Sequence, residues 1–410
     1  RFVVKNDIPV FKIQGNKNTA GARPGEPVNE QIKRTEMSPF ITGIQVYSEQ
    51  TPYIGTGLQI SGTFGLIVSQ CHFFNLKKGI ELINYNRNLI FSENHIWGCD
   101  ICAHWNATNS HQQNFVNNHL TVTGYGILVE NGSVHNFQIA SNDIEGSPGF
   151  SNINLIKFFG NDYSQIQITG NSIEEHMVGT GALLHLESPT SRRFIATISG
   201  NEFSSSAKEA IKIINGQVVT INGNNFSGVG DYVINFIGSY IHDVNITGNN
   251  FSNNVELARN MGGIFIESDN RIRNVVISSN TFAYLAKKIF VIKGQNDTKK
   301  VRIDRLNIVN NSGSMYNSTG VVPGFGVDIG EYTSETRELS FIGNQFRIDG
   351  KTSEKGLSIK VAPSYAEYCV IIKNNVVSGV SSRMADEDIY DLPQPEPDRI
   401  IIADNLKTTY

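Results

Sequence analysis

The 410-residue chain lacks the features that mark a membrane protein, a disulfide scaffold or a nucleic-acid binder. No run approaches the roughly 18 consecutive apolar residues of a membrane-spanning helix. Four cysteines are too few for a disulfide framework in a chain of this length. A formal net charge of −4 leaves no basic excess to neutralise a phosphate backbone. With 39% hydrophobic and 18% charged residues, the composition is that of an ordinary folded protein and excludes extended disorder.

The sequence also lacks a complete metal motif. Cys99 and Cys102 form a CxxC pair close to His95 and His104, a pattern found in some metal sites. A tetrahedral zinc site needs a second pair of ligands, and no further CxxC or CxxH element supplies one. We therefore predict no metal and no cofactor, and interpret the two cysteines as small residues of the fold.

What the sequence does contain is one short phrase that recurs along its length. Two apolar, mostly β-branched residues precede two small or polar residues and then an asparagine, at spacings of 23 to 33 residues. A period of this length without helical periodicity buries its apolar residues by stacking on copies of itself. The phrase ends at Cys71, Asn94, Asn118, Asn142, Asn171, Asn201, Asn224, Asn249, Asn280, Asn311, Asn344, Asn374 and Asn405.

A second strand with alternating apolar residues lies between consecutive phrases, for example at 126–130, 210–213, 233–236 and 263–267. Two or three short strands per period predict an all-β fold, a right-handed single-stranded parallel β-helix (β-solenoid) of about a dozen coils. The recurrent asparagine suits the turn of each coil, because asparagine tolerates left-handed backbone geometry. Its amide can also bond to the asparagine of the next coil.

We predict a single β-helix domain over residues 1–410. The chain begins at Arg1 in strand-like sequence, which indicates a fragment of a longer chain. The predicted parts are irregular first coils at 1–54 with a polar loop at 15–39, regular coils at 55–385, and a proline-rich loop with the last coil at 386–410.

Equivalent positions of successive coils form columns with steps of about 4.8 Å. The columns therefore predict which side chains lie next to each other on the surface of the solenoid. The position after each recurrent asparagine holds His72, His95, His119, Asp143, Ser172 and Glu202. Two residues later come Phe74, Trp97, Thr121, Glu145 and Glu174. The outward position of the second strand is predicted to hold Ile83, His104, Glu130, Phe159, Glu187, Ile214, Ile237 and Glu267.

The candidate site residues come from these columns in the early and middle coils. Two carboxyl groups flanking a glycosidic bond suffice for its hydrolysis, about 5 Å apart with retention and roughly 6.5–9.5 Å apart with inversion. Aromatic faces stack on sugar rings. The competing interpretation is a solvated surface charge for each carboxylate, and a core or interface position for each tryptophan. The candidates are Glu130, Asp143, Glu145 and Glu174 for catalysis, and Trp97, His104, Trp105, His119 and Tyr125 for substrate binding.

The coil phrase, apolar-x-apolar-x-x-Asn-x-apolar, resembles that of the pectate-lyase-like superfamily of right-handed β-helices, and in particular phage tailspike depolymerases. The resemblance covers the chain from about Gly55 to Asn405. It implies a homotrimer of parallel rods, extracellular or on the virion surface, that binds and cleaves a bacterial polysaccharide. The Asn-Thr-Asp, Asp-Asp and Arg-Ile-Lys signatures of the polygalacturonases are missing, which argues against that branch.

Three functional hypotheses follow, and all exclude a nucleic-acid partner and membrane insertion. The first is a glycoside hydrolase that acts on a surface polysaccharide through paired carboxylates. The second is a non-catalytic rod that binds a glycan or receptor. The third is a uronate lyase, with Lys157, Arg192 and Arg193 as candidate cations, or a fructan-processing enzyme of the same fold.

Overall fold

The chain folds as the predicted right-handed parallel β-helix. In the residues that the structure describes there is no helix, and every strand pairing is parallel. These residues fall into two compact units, Arg1–Phe203 (unit 1) and Ser204–Tyr410 (unit 2). The computed structural model describes residues 1–15, 39–50, 53–130, 132–147, 154–160, 162–175, 181–188, 194–205, 208–253, 260–316, 326–349, 357–360, 369–378 and 400–408.

Both irregular segments predicted from the sequence lie almost wholly outside the described residues. Of the predicted polar loop at 15–39, the structure describes only the two end residues. The proline-rich stretch of the segment 386–410 is likewise not described, whereas two strands of the last coil are.

The strands of unit 1 are short, apart from three that run through bends of the coil. They are β1 (Phe2–Val4), β2 (Pro9–Gln14), β3 (Phe40–Thr42), β4 (Gln45–Ser48), β5 (Ile54–Ser61), β6 (Ile67–Ser69), β7 (His72–Phe74), β8 (Leu76–Ser92), β9 (His95–Val116), β10 (His119–Glu130), β11 (Ser133–Ala140), β12 (Asp143–Gly146), β13 (Ile156–Phe159), β14 (Asp162–Thr169), β15 (Ser172–Glu175), β16 (Ala182–Glu187), β17 (Phe194–Ser199) and β18 (Glu202–Ser205).

The strands of unit 2 follow the same order within each coil. They are β19 (Glu209–Ile214), β20 (Gln217–Asn222), β21 (Asn225–Ser227), β22 (Tyr232–Thr247), β23 (Asn250–Ser252), β24 (Gly262–Ser278), β25 (Thr281–Leu285), β26 (Phe290–Gly294), β27 (Val301–Val309), β28 (Ser312–Tyr316), β29 (Val327–Ile329), β30 (Thr333–Ile342), β31 (Gln345–Asp349), β32 (Leu357–Ile359), β33 (Cys369–Lys373), β34 (Val376–Ser378), β35 (Ile400–Ala403) and β36 (Leu406–Thr408).

A regular coil has three strands, as β12, β13 and β14 illustrate. Each pairs in parallel with its equivalent in the next coil, β15, β16 and β17 respectively. Alternate residues point inward, since successive side chains of a strand lie on opposite faces. Ile144, Phe158 and Ile168 are accordingly fully buried. The stacked inward residues of successive coils form the core.

The recurrent asparagines form a hydrogen-bonded ladder along each unit. In unit 1 the backbone N–H and the Nδ2 of Asn94 both donate to Oδ1 of Asn118, at 3.0 Å each. The same pair of bonds joins Asn118 to Asn142 and Asn142 to Asn171 at 2.9–3.0 Å. The predicted bonding between asparagine amides of neighbouring coils is therefore confirmed.

The left-handed turn residue is the one before the ladder asparagine, so the prediction that the asparagine itself has this geometry is wrong. Glu93 and Asn117 have φ of 56° and 54°, and Gly170 has 63°. The prediction also assigned the wrong asparagine to the ladder near the C-terminus, one residue too early. Asn374, with φ of 56°, is the turn residue there, and Asn375 is the ladder residue that accepts from Asn344 and donates to Asn405.

Candidate functional site

The first strands of successive coils in unit 1 present one continuous outward surface, which we call the first face. Two of its columns are in register from β4 to β15, and the sequence predicts the part that begins at β7. One column runs Gln45, His72, His95, His119, Asp143 and Ser172. The other runs Tyr47, Phe74, Trp97, Thr121, Glu145 and Glu174.

An aromatic strip occupies the early coils of the first face. The rings of Tyr47 and Phe74 stack with centroids 5.0 Å apart and planes 13° apart. The rings of Phe74 and Trp97 follow at 6.1 Å. Trp97 is 50% exposed, which is unusual for so large an apolar side chain. The strip therefore offers an accessible flat surface for a ring-shaped ligand.

A histidine strip runs beside the aromatic one. His72 and His95 are 5.7 Å apart between ring centroids, and His95 stacks on His119 at 4.5 Å with planes 22° apart. Burial lowers the pKa of His95, and the charges of His119 and His72 act in the same direction. At neutral pH the middle ring of the strip is therefore uncharged and free to stack or to exchange hydrogen bonds.

The carboxylate candidates Asp143 and Glu145 lie in the coil that follows His119, and both are close to its ring. Nε2 of His119 lies 3.7 Å from Oδ2 of Asp143 and 3.4 Å from Oε1 of Glu145. The hydroxyl of Thr121 donates to the same Glu145 oxygen at 2.8 Å. In the next coil Glu174 is the register partner of Glu145. The structure thus brings four sequence candidates together: His119, Asp143, Glu145 and Glu174.

Glu130 lies elsewhere, on the second strands of the coils, whose outward surface we call the second face. The predicted column is wrong at one position, because Asn106 and not His104 is in register with Glu130. His104 is in register with Glu81 and Leu128, in the neighbouring column. The two faces are separated by the bend of β10, where the register shifts between Val122 and Tyr125.

His104 is nevertheless bonded to Glu130. Its Nε2 lies 2.9 Å from Oε1 of Glu130, and its Nδ1 lies 3.7 Å from Oε1 of Glu81. Burial lowers the pKa of His104 and Lys78 adds to the effect, although Glu130 and Glu81 oppose it. Burial acts to raise the pKa of Glu81, but hydrogen bonds from Lys78 and Gln59 outweigh it and hold the pKa below its ordinary value.

The prediction that Trp105 lines a subsite is wrong. Trp105 is fully buried, with its ring 4.7 Å from that of Phe137 and 5.9 Å from that of Phe91. Strand alternation is the reason, since Trp105 is in register with the buried residues Leu82 and Val129. Its neighbour His104 takes the outward direction instead.

The remaining candidates do not join the first face. Tyr125 is half-buried and follows the bend of β10, in register with Ile101. Lys157, the described member of the three cations considered for a lyase, lies on the second face in register with Leu128 and His185. Arg192 and Arg193 lie outside the described residues.

Sequence reasoning missed two groups of polar and aromatic residues. Tyr47 extends the aromatic strip by one coil. The recurrent phrase is too irregular in the first coils to assign Tyr47 to its column from the sequence. Glu81 and Gln59, which bond to each other at 2.8 Å, line the second face beside His104. Strict alternation through Ile80, Glu81 and Leu82 was the signal that could have found Glu81.

The CxxC pair shows no metal-site arrangement. Cys99 and Cys102 are buried free thiols, and burial raises the pKa of Cys102. Thiols in such surroundings remain protonated and are poor ligands. In the part of the chain that the structure describes, no three His, Cys, Asp or Glu side chains are grouped in a way that could hold a metal ion.

The described residues also contain no helix that is long and apolar enough to cross a membrane. The sequence matches no protein-family model and no curated protein. Among solved structures, the crystal structure of Dettilon tailspike protein (gp208) matches with 10% sequence identity and a TM-score of 0.24. The match covers 81% of this chain and 59% of that protein, so the chain spans less than two thirds of its length. Function must therefore be inferred from the side chains of this chain.

Proposed function

We propose that this protein is a tailspike-type depolymerase that binds a bacterial surface polysaccharide along its first face and hydrolyses it there. The observation that carries the proposal is the column that runs from stacked exposed aromatics into carboxylates: Tyr47, Phe74, Trp97, Thr121, Glu145 and Glu174. A polymer that follows this column stacks its sugar rings on the aromatic strip and meets the carboxylates with its next units.

Glu145 and Glu174 have the roles that a pair of carboxyl groups plays in glycoside hydrolysis. Glu145 accepts the Thr121 hydrogen bond and lies near His119, contacts that hold its carboxylate in place. We assign it as the nucleophile or base and Glu174 as the acid that protonates the leaving oxygen. In-register carboxylates one coil apart are at about 5 Å, whereas Asp143 and Glu174, on a diagonal, are at about 7–8 Å. The first separation suits retention and the second inversion.

The test is incubation of the purified protein with bacterial capsular and O-antigen polysaccharides, with reducing ends and chain length as readouts. We expect Glu145→Gln and Glu174→Gln to lower the rate about 10²–10⁴-fold while the fold is kept. Glu93→Gln is the matched control, because Glu93 is an exposed glutamate at the turn, outside both columns. Unchanged cleavage by both variants would contradict the assignment of Glu145 and Glu174 as base and acid.

A non-catalytic glycan-binding rod is the second candidate. The hydrogen bond from Thr121 holds Glu145 as a fixed acceptor, an arrangement that also suits recognition of a sugar hydroxyl. In that case the protein binds a polymer of the panel without shortening it, and Trp97→Ala abolishes the binding. Cleavage that depends on Glu145 or Glu174 contradicts this candidate.

The proposal extends to assembly and location. By its resemblance to tailspikes, the protein forms a homotrimer on a phage virion, where it meets the surface polysaccharide of the host. A trimer also covers part of the flank of each solenoid.

A further inference from the structure

The second face of unit 1 carries two outward columns of its own, on β5, β8, β9, β10, β13 and β16. The inner column runs Gln59, Glu81, His104, Leu128, Lys157 and His185. The outer column runs Asn106, Glu130, Phe159 and Glu187. None of these side chains belongs to the first face.

The polar cluster around His104 is buried at positions where the fold also accepts an apolar residue. His104 is 3% exposed and Glu81 is 6% exposed, although Leu128 shows that an apolar residue fits the same column one coil later. Nδ1 of His104 is buried and makes no hydrogen bond. Burying charged and polar groups lowers stability unless they are fully bonded. Local departures of this kind from the simplest packing are typical of functional sites.

Phe159 lies between two carboxylates of the outer column. Its side chain is 46% exposed, and Glu130 and Glu187 are its register partners in the preceding and following coils. The two glutamates are therefore separated by two coil steps, about 10 Å. An exposed ring with a carboxylate on either side matches the width and chemistry of one sugar ring, whose apolar face stacks while its hydroxyls donate.

A histidine of the inner column lies beside each carboxylate, and the one beside Glu130 is hydrogen-bonded to it. Nε2 of His104 lies 2.9 Å from Glu130, and Nε2 of His185 lies 3.4 Å from Oε2 of Glu187. The side chains of both glutamates keep about a third of their surface exposed, at 33% and 30%. Their free surface therefore remains available to a ligand, and the hydrogen bond from His104 fixes the orientation of Glu130.

Lys157 completes the set of groups that a sugar needs. Its ammonium lies 5.7 Å from the centroid of the Phe159 ring, at the outer limit of a cation–π contact. A contact this loose leaves room for a ligand to take its place over the ring. A sugar hydroxyl both donates and accepts, so it can bond to a glutamate and to this ammonium together.

We propose that the second face of unit 1 is a separate carbohydrate-binding site, in which one pyranose ring stacks on Phe159 and its hydroxyls bond to Glu130, Glu187 and Lys157. This assigns Glu130 and His104 to binding and positioning, and not to the hydrolysis proposed for the first face. The site holds a glycan chain at a second point and so raises the effective concentration of polymer at the first face.

The test is an array of bacterial capsular and O-antigen glycans and their oligosaccharides, probed with fluorescent protein. We expect a set of glycans whose binding falls about tenfold or more with Phe159→Ala and with Glu187→Gln. Phe159→Tyr keeps the ring and should retain that binding. Binding of the same set should be unchanged in Glu93→Gln, the exposed-glutamate control.

The variants separate this inference from the proposed function. On oligosaccharides too short to reach both faces, signals lost with Trp97→Ala and kept with Phe159→Ala report on the first face, and signals lost with Phe159→Ala and kept with Trp97→Ala report on the second face. If no glycan of the array shows binding that depends on Phe159, whether or not Trp97-dependent binding is found, the second site is overturned. Far-ultraviolet circular dichroism and the unfolding midpoint of each variant verify that the fold is retained.

Discussion

Single histidines give this protein a stability that depends on pH. Burial lowers the pKa of His111 to about 4, and the charges of His135 and Arg87 act in the same direction. Nε2 of His111 contacts Oδ1 of Asn109 at 3.0 Å, as a neutral ring that donates. His95, His104 and His242 have pKa values shifted in the same direction, with burial as the first cause in each.

The free energy of unfolding should therefore fall as the pH is lowered from about 6.5 to about 5. In this window the unfolded chain binds protons that the folded histidines do not, so acid favours the unfolded state. Above it the histidine contribution is fully present. Urea midpoints at pH 7.5, 6 and 5 measure the effect, and His111→Asn should flatten the slope. A midpoint that is constant across this range contradicts the prediction.

The acidic groups add to this dependence only at lower pH. Hydrogen bonds and charges from Arg302 and Arg271 outweigh burial and hold the pKa of Asp304 below its ordinary value. Its contribution is present above the unfolded pKa of about 3.9 and is lost below it. Burial raises the pKa of Asp100, which opposes the loss, so the slope above pH 5 is the net of this carboxyl and the histidines.

The asparagine ladder is the structural element with the clearest energetic consequence. Oδ1 of Asn249 accepts from the backbone N–H and the Nδ2 of Asn224 at 3.0 and 2.9 Å. Nδ2 of Asn249 donates to Ile221 O and to Oδ1 of Asn280 at 2.9 and 3.0 Å. Removal of this amide takes away the acceptor of the buried backbone N–H of Asn224, whereas Nδ2 of Asn224 keeps Asn222 O and Oδ1 of Asn280 keeps the backbone N–H of Asn249.

We expect Asn249→Ala to lower the free energy of unfolding by about 1–3 kcal/mol, the cost of a buried group that loses its hydrogen bond. The adjacent residue provides the control. Asn250 is exposed, and its backbone N–H bond to Asn224 O survives substitution, so Asn250→Ala should change the value by less than about 0.5 kcal/mol. Urea unfolding of both variants measures the difference, and equal effects would argue against the ladder as a source of stability.

The coil elements were largely predictable from sequence, because the ladder asparagine and the alternating strands leave a periodic signal. The residues between them were not. The prediction placed His104 in register with Glu130, whereas the shifts between Thr121 and Tyr125 in β10 place it in register with Leu128. Such bulges depend on packing between coils, which a single period of sequence does not encode.

The direction of a side chain was predictable only where the strand register was known. Trp97 follows Asn94 by three residues and has the expected exposed position. Trp105 lies beyond the irregular stretch around the two cysteines, and it is buried in the core. The first face was thus predictable in outline, and the second face, with its His104 cluster, required the structure.

At the scale of the whole molecule, the proposed homotrimer has a direct test. One chain has a mass of 45.3 kDa, so light scattering coupled to size-exclusion chromatography should give three times this value. A concentration-independent mass equal to one chain would contradict the trimer, while leaving both faces of unit 1 intact as sites within a single chain.

The ladder also bears on how such a protein changes over time. The position after each ladder asparagine belongs to the same column in every coil of unit 1, so a gene segment cut at two such codons encodes one whole coil. Recombination between related genes at these points exchanges one coil and preserves the asparagine-ladder hydrogen bonds to the coils on either side. Under the proposed function, a new glycan specificity can arise by the replacement of 23–30 contiguous codons, the spacing of the recurrent positions from Cys71 to Asn201.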